Sequence, residues 1–391
     1  MNRLNKTFII LIITLATSGA LTANGAFFGD PPDNHHPWAV HDQNRPFPPV
    51  VTPAVNIGES PSDAIVLFDG TVASFHENWR HNRPADKREQ NWIVIEGALQ
   101  SMRGAGNLSS FAELGDCQLH IEWRAPTETV GQGQGRGNSG VFFMGDMVEV
   151  QVLDNHENPT YADGTAGAVY GLMPPAVNAL RPSGEWQSYD IIFRRPIARD
   201  GVILDPGSLT VLQNGVVVQD NTPLEGGGGY KKRKPLDRII PEQGALMLQD
   251  HGNPVRFRNI WYRPLRSRAL DGGSDGQLSE ESTLTKRNEI AAELRQHART
   301  LKGQQKALRL LESLKYKEDA DARAEADSLI ELYVAKLKKI APLEMEVEKN
   351  QVLSLDEALQ YMHRYKLIPN DYPVRSFIND LAIQQGWKTD K

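Results

Sequence analysis

From Asp63 to Leu265 nearly every segment of this chain reads as a short strand closed by a turn signal. Such a run admits few folds, because the strands must pair and two sheets must then cover each other's apolar faces. Ile65 to Phe68 ends at Asp69-Gly70, and Glu96-Gly97 separates two apolar runs. Asn214-Gly215 joins Leu209–Leu212 to Val216–Gln219. Asn-Gly between apolar runs is a strong hairpin signal, since both central residues must take positive φ. Cys117 to Arg124 alternates, with Leu119, Ile121 and Trp123 set against His120, Glu122 and Arg124. Period-two alternation marks a strand with one buried face. The expectation is an all-β jelly-roll sandwich, because about 200 residues is long for an immunoglobulin-type domain and suits a larger two-sheet fold. Trp92, Trp123 and Trp186 are expected in its core, where large aromatics dominate.

The flanks have other compositions. Arg3 and Lys6 precede an apolar stretch, Phe8 to Ala16, and then small residues. This predicts a secretory signal peptide over 1–26 and an exported protein, periplasmic or extracellular. The apolar run is short for a membrane span, which needs about 20 residues, and no other stretch qualifies. Residues 27–62 are rich in Pro, Asn and His and read as a tether; His35, His36 and His41 would bind metal only adventitiously. Asp271-Gly-Gly-Ser-Asp-Gly276 marks a linker over 267–278. Beyond it, Ile290, Leu294, Ala298, Leu301 and Leu308 recur at helical spacing, as do Ala322, Ala326, Leu329, Tyr333, Leu337 and Ile340. Ser354-x-x-Glu357 reads as a capping box, and a last helix is expected from Pro373 to Gly386. Residues 279–391 are therefore expected to form an α-helical hairpin and cap, with self-association or partner binding as a possible role. The net charge of −6 gives no footprint for nucleic acid. The basic run Lys231-Lys-Arg-Lys234 is most simply a solvated loop. Cys117 is the single cysteine, so neither a disulfide framework nor a cysteine zinc site is available.

Within the strand-rich region one stretch concentrates chemistry. Asn138 to Phe143 is a short polar start followed by apolar residues, and after Gly145-Asp146 a second strand alternates. Val148, Val150 and Val152 point one way; Met147, Glu149, Gln151 and Leu153 point the other. Asp154, Asn155 and His156 follow where a loop can aim them. A single exposed Glu is usually solvated, but Glu149, Gln151, Asp154 and His156 are closely spaced acid/base and amide groups. Gly131 to Gly137 is glycine-rich without a following Gly-Lys-Ser/Thr, so it is expected to be a mobile loop rather than a phosphate cradle. Asp250-His251-Gly-Asn-Pro254 is good turn chemistry, which is the simplest role for Asp250 and competes with a functional role for His251.

Several motifs in this order resemble one family. They are Ile65-Val-Leu-Phe-Asp-Gly70, Trp92 with Gly97-Ala-Leu99, Gly137-Asn-Ser-Gly-Val-Phe-Phe143, Glu149-Val-Gln-Val-Leu-Asp154 and Tyr170-Gly171 with Pro174-Pro175. Gly184-Glu-Trp-Gln-Ser-Tyr189, Leu248-Gln-Asp-His-Gly252, Val255 to Trp261 and Arg263-Pro-Leu265 complete them. The chain here is similar to the 3-keto-disaccharide hydrolase domain, a family long described as a domain of unknown function. The resemblance covers residues 63–266 and implies a concanavalin A-like sandwich, of the lectin and glucanase type, and secreted action on oxidised sugars. Gly131–Gly137, Pro196–Gly207 and Glu225–Lys234 look like expansions of the family's compact form. Glu149-x-Gln151-x-x-Asp154 also resembles the Glu-x-Asp-x-x-Glu strand of laminarinase-like glycosidases, with Gln and Asp replacing the second and third acids, which weakens transfer of a retaining mechanism.

A ketone at C3 of a sugar acidifies the C2 proton, so a base can remove it and the C1 oxygen can leave. On that chemistry Glu149 or His156 is the candidate base, and His251 an acid or enolate donor. Arg256 or Arg258 is a candidate holder of the enolate oxygen. Asn138, Gln151, Asp154 and Gln249 are candidate partners for sugar hydroxyls. A divalent metal held by Glu149, His156 or His251 is an alternative for the enolate role. The expected activity is cleavage of 3-keto-glycosides, by elimination and hydration or by direct hydrolysis. The rivals are a non-catalytic carbohydrate-binding module and a scaffold whose business lies in the helical tail.

Overall fold

The turn-punctuated region folds into two antiparallel sheets, in a computed structural model that describes residues 26–234, 241–268 and 279–389. In chain order the strands are β1 (Ile65–Phe68), β2 (Trp79–His81), β3 (Ile93–Ile95), β4 (Ala98–Gln100), β5 (Leu108–Leu114), β6 (Cys117–Arg124), β7 (Ser139–Phe143) and β8 (Val148–Val152). They continue with β9 (Gln187–Arg194), β10 (Ile197–Arg199), β11 (Val202–Asp205), β12 (Ser208–Gln213), β13 (Val216–Pro223), β14 (Gly227–Gly229), β15 (Lys232–Lys234), β16 (Gly244–Leu248) and β17 (Arg256–Pro264). One sheet runs β13-β12-β9-β6-β17-β4-β3, with β1 also on β17; the other runs β2-β5-β16-β7-β8. Two hairpins, β10-β11 and β14-β15, stand apart from both.

The alternation read from the sequence sets which residues lie between the sheets. Leu119, Ile121 and Trp123 of the larger sheet and Val148, Val150 and Val152 of the smaller one share a single buried cluster. Each such aliphatic side chain removed from water stabilises the fold by about 1.5–3 kcal/mol. Glu96-Gly97 and Asn214-Gly215 all have positive φ, as their hairpins require. Cys117 is buried and free, and Trp92 and Trp123 are core residues. Trp186 is not. It lies half-buried outside the core, its ring flanked by the guanidinium carbons of Arg258 at 3.9 Å and Arg124 at 4.9 Å. Each guanidinium over the indole face contributes about 0.5–1 kcal/mol.

All three expansions are more ordered than loops, Pro196–Gly207 holding the β10-β11 hairpin. Gly133–Gly135 forms a turn of 3-10 helix, and Glu225–Lys234 contains the β14-β15 hairpin. The edge of β8 is also extended. Val150 bridges to Val169; the Tyr170 amide donates to the Glu149 carbonyl and the Gln151 amide to the Ala168 carbonyl, both at 3.0 Å.

Two compact units divide the chain, Pro49–Asp275 and, together, Met1–Pro48 with Gly276–Lys391. The second is helical: α1 (Val72–Asn78) belongs to the sandwich, while α2 (Glu280–Ala298), α3 (Gly303–Leu314), α4 (Ala320–Leu337), α5 (Lys349–Arg364) and α6 (Pro373–Gln384) follow it. The helical period from Ile290 to Leu308 is broken, because α2 ends at Ala298 and residues 299–302 turn into α3, which opens at Gly303 with φ +53°. Ser354 caps nothing, since α5 already begins at Lys349. Pro373 and Gly386 do bound the last helix, the latter at φ +69°. The N-terminal segment is not a free tether throughout: Phe27 belongs to the helical core, and Asp42 is buried there. The expected signal peptide and most of the linker lie outside the described residues. No described helix is long and apolar enough to cross a membrane.

Candidate active site

Because Val148, Val150 and Val152 face the core, Glu149 and Gln151 face outward from the smaller sheet. The register carries that face across the sheet. Glu149 lies opposite Phe142, Phe142 opposite Met247, and Met247 opposite Ser109. Gln151 lies opposite Gly140, whose carbonyl accepts from the Gln249 amide at 3.1 Å. Gly140 is a glycine for a local reason. A Cβ there would stand 2.4 Å from Glu149 Oε1 and 2.7 Å from the Phe142 ring. The carboxylate therefore occupies the space a side chain at position 140 would fill.

An amide network borders this carboxylate. Gln151 Nε2 donates to Gln134 Oε1 at 3.2 Å and to Asn138 Oδ1 at 3.4 Å. Asn138 Nδ2 donates to the Gln134 carbonyl at 2.7 Å, and Gln134 Nε2 donates to Thr160 and to the Gly164 carbonyl. The glycine-rich 131–137 segment is thus pinned across the end of the face rather than mobile. The side-chain oxygens of Gln151 and Gln249, on the two neighbours of Gly140, are buried without a protein partner. A buried acceptor without a donor costs about 1–3 kcal/mol, so such oxygens are suited to a donor brought by a ligand.

Sequence reasoning missed the tyrosines. Since Val169 is opposite Val150 and buried in the core, Tyr170 lies beside Glu149 on the outer face. Its hydroxyl pairs with that of Tyr161 at 2.7 Å. Burial first, then the Tyr161 hydroxyl and the charges of Glu149 and Asp163, holds the Tyr170 phenol well above its usual range and keeps it protonated. Both tyrosines line a cavity of about 500 Å³ with Asp163, Gly171 and the β14-β15 hairpin. That volume lies in the range of small-ligand sites. The 166–173 segment lacks an alternating pattern, so only Tyr170-Gly171, quoted above as a motif, could have drawn attention to it.

The other candidates are placed apart. Asp154 lies in the loop after β8, and its buried carboxylate is held by Arg136 at 3.1 Å and the Ser183 hydroxyl at 2.7 Å. It anchors a loop and is not available to a sugar. His156 lies in the turn after β8, its carbonyl gripped by Arg136. His251 is exposed in the β16–β17 turn, where Asp250 accepts from the amides of Gly106 and Gly252 at 2.9 Å. Arg256 and Arg258 lie on the opposite side of the sandwich. Phe257 between them is in the core, so both point outward from the larger sheet, where Arg256 meets Glu96 and Gln100 and Arg258 meets Glu122. Two sheets separate them from Glu149, so neither reaches an enolate there. No group of three or more His, Cys, Asp or Glu that could hold a metal is found among the described residues, so Glu149, His156 and His251 do not assemble the metal site considered above.

Comparison with known proteins agrees with this architecture. A curated relative, the 3-keto-disaccharide hydrolase of Bacteroides thetaiotaomicron, is 24% identical over 237 residues, which are 50% of this chain and 76% of the relative. A crystal structure from Parabacteroides distasonis, described as a candidate glycosyl hydrolase, superposes with a TM-score of 0.51 at 40% identity, covering 56% of this chain and 93% of that one. A second structure from the same organism has 18% identity and a TM-score of 0.39, covering 55% and 100%. Fold and relatives define the class as a jelly-roll sandwich enzyme acting on carbohydrate. A sequence profile described as the 3-keto-alpha-glucoside-1,2-lyase-like domain matches residues 63–263, and the chain belongs to that family.

Proposed function

We propose that the protein is exported and cleaves the glycosidic bond of 3-keto-glycosides by elimination followed by hydration. Glu149 takes the C2 proton, whose acidity the C3 ketone supplies, and the electron pair forms the C1–C2 double bond. The C1 oxygen departs with a proton from Tyr170, which Tyr161 orients. Water then adds at C1 while Glu149 returns a proton to C2, and the released hydroxyl proton of water restores Tyr170. The net reaction consumes one water. Gln151 and Gln249 accept sugar hydroxyls through their unpartnered oxygens, and Asn138 holds Gln151 in place. The observation that carries this reading is the adjacency of Glu149 and a protonated Tyr170 on one outer face, with Tyr170 lining a sugar-sized cavity.

Incubating 3-keto-trehalose in deuterated water tests it. Deuterium at C2 of the released 3-keto-glucose, and loss of release in Glu149→Gln, are expected. Release without C2 deuterium would mean direct hydrolysis instead. Sugar binding that persists with no product from the native protein would make this a binding module.

A further inference from the structure

Beyond Tyr170, the neighbour of Glu149, the cavity changes character. Its far wall is the β14-β15 hairpin, which brings Lys231, Lys232 and Arg233 to the lining, against one carboxylate, Asp163. No carboxylate among the described residues forms a salt bridge with any of the three. Lys231 instead lies over the Tyr230 ring, its Nζ 5.0 Å from the centroid. The local positive charge opposes the net charge of −6 of the chain, so it is not a background property of the surface. A cleft lined by one sign of charge concentrates ligands of the other.

The backbone is built to keep this wall close to the reacting groups. β14 is Gly227–Gly229, paired so that Arg233 stands opposite Gly228 and Lys232 opposite Gly229. A Cβ at Gly228 would fall 1.4 Å from the Tyr170 carbonyl oxygen, which no side chain can accommodate. Glycine there lets the hairpin lie directly on Tyr170-Gly171, and Tyr170 is the neighbour of Glu149. A ligand held at Glu149 and Tyr170 therefore meets the hairpin cations next.

We propose that this cavity recognises an anionic substituent, a carboxylate or a sulfate or phosphate ester, on the saccharide cleaved at Glu149. Arg233 offers a fork matched to such oxygens, and Lys231 and Lys232 offer point charges. The tyrosines Tyr161, Tyr170 and Tyr230 provide faces for the sugar ring beside them. The inference rests on the sugar-cleaving reading of the site and narrows its substrate to acidic saccharides.

Calorimetric binding to the full-length protein tests it, using trehalose, trehalose oxidised at one C6 to the carboxylate, and trehalose 6-sulfate. None carries the ketone, so binding is read without turnover. Charge-assisted hydrogen bonds predict about 10- to 100-fold tighter binding of the acidic forms at low salt. That preference should shrink at high salt, fall towards unity in Lys232→Gln/Arg233→Gln and reverse in Lys232→Glu/Arg233→Glu. The order of carboxylate and sulfate identifies the source of the charge. Equal affinities for the three sugars, no measurable binding of any of them, or a preference untouched by charge reversal in a normally melting variant would overturn the proposal. Cleavage is assayed separately with 3-keto-trehalose. A protein that prefers the acidic sugars but leaves 3-keto-trehalose and its C6-carboxylate intact would refute the reaction and not the subsite. One that cleaves both equally would refute the subsite and not the reaction.

Discussion

Glu149 and Gly140 form one unit, because the carboxylate lies where a methyl group at position 140 would lie. Gly140→Ala is therefore expected to displace the base while leaving the β7 ladder intact. Its signature is a fall in kcat of about 10²-fold or more, since a misplacement of about 1 Å costs that much, out of proportion to the modest drop in thermal midpoint that displacing the Phe142 ring causes. A variant that kept full kcat would separate Glu149 from the reaction. Glu149→Gln should lower kcat by about 10²–10⁴-fold, the usual share of general acid–base catalysis, and keep sugar affinity. Tyr170→Phe should do the same for substrates with poor leaving groups, and much less for an activated aryl aglycone that departs without a proton. Alternation placed Glu149 and Gln151 on a common outer face directly from the sequence. Beyond Val152 the alternation ends, and Asp154 is buried in the following loop on Arg136 and Ser183, contacts that no local pattern announces. Arg256 and Arg258 were misplaced for a different reason. Period two says a residue leaves its own sheet outward, but not which of two sheets it belongs to.

At the level of elements, the sequence marked strands by their turns and missed those with atypical composition. The run Gly226-Gly-Gly-Gly229 gave no strand signal, because its glycines serve a close approach to Tyr170 rather than a pleated apolar face. On the larger sheet a charged cluster ties three strands to the 49–62 segment. His120 of β6 stacks on Trp261 of β17 and bonds Asp190 of β9 at 2.6 Å, with Glu122 at 3.7 Å. Gly58 lies over the ring, its carbonyl accepting from Asn259 at 2.8 Å and Trp261 at 2.9 Å. Burial opposes a charge on His120, but the hydrogen bonds and charges of Asp190 and Glu122 outweigh it and raise its pKa to about 9. Burial likewise opposes the Glu122 charge, yet His120, Asn259 and Arg258 hold its pKa down to about 2. The imidazolium binds its proton more tightly in the folded state, so its contribution is complete below the unfolded value of about 6.5. It is lost as pH rises through about 9. The Glu122 contribution is complete above an unfolded value of about 4.3. It is lost as pH falls towards about 2. The sandwich should thus be most stable between about pH 4.3 and about pH 6.5, where both contributions are complete. In His120→Gln the decline from pH 6.5 to 9 should flatten, and an unchanged alkaline slope would remove His120 as its cause.

For the whole molecule, the sandwich has one hydrophobic core and the helical unit a large cluster and a small one, and the sequence showed the β part far better than the helical part. A helical period continued on paper through Leu301, where in fact α2 has ended at Ala298 and α3 has not begun. The role of residues 26–48 was invisible, because their contacts are with helices far along the chain. Phe27 packs edge-on against Tyr361 with ring centroids 5.8 Å apart. Lys315 is buried with Asp42 at 3.6 Å and holds the Ala26 carbonyl, while the Tyr316 hydroxyl donates to Asp42. Burial pulls the Lys315 pKa down and pushes Glu312 up, so the cluster depends on its members remaining together. Removing one partner of a buried pair costs about 3–5 kcal/mol, as does truncating a buried Phe. Phe27→Ala and Asp42→Ala should therefore each lower the melting transition of the helical unit by several degrees or more. The transition of the sandwich, and sugar cleavage with it, should not move, because every residue of the candidate site lies in Pro49–Asp275. Calorimetry of the full chain reads both transitions at once. A joint shift of the two would show that the units melt as one cooperative body, and the N-terminal segment would then stabilise the sandwich as well.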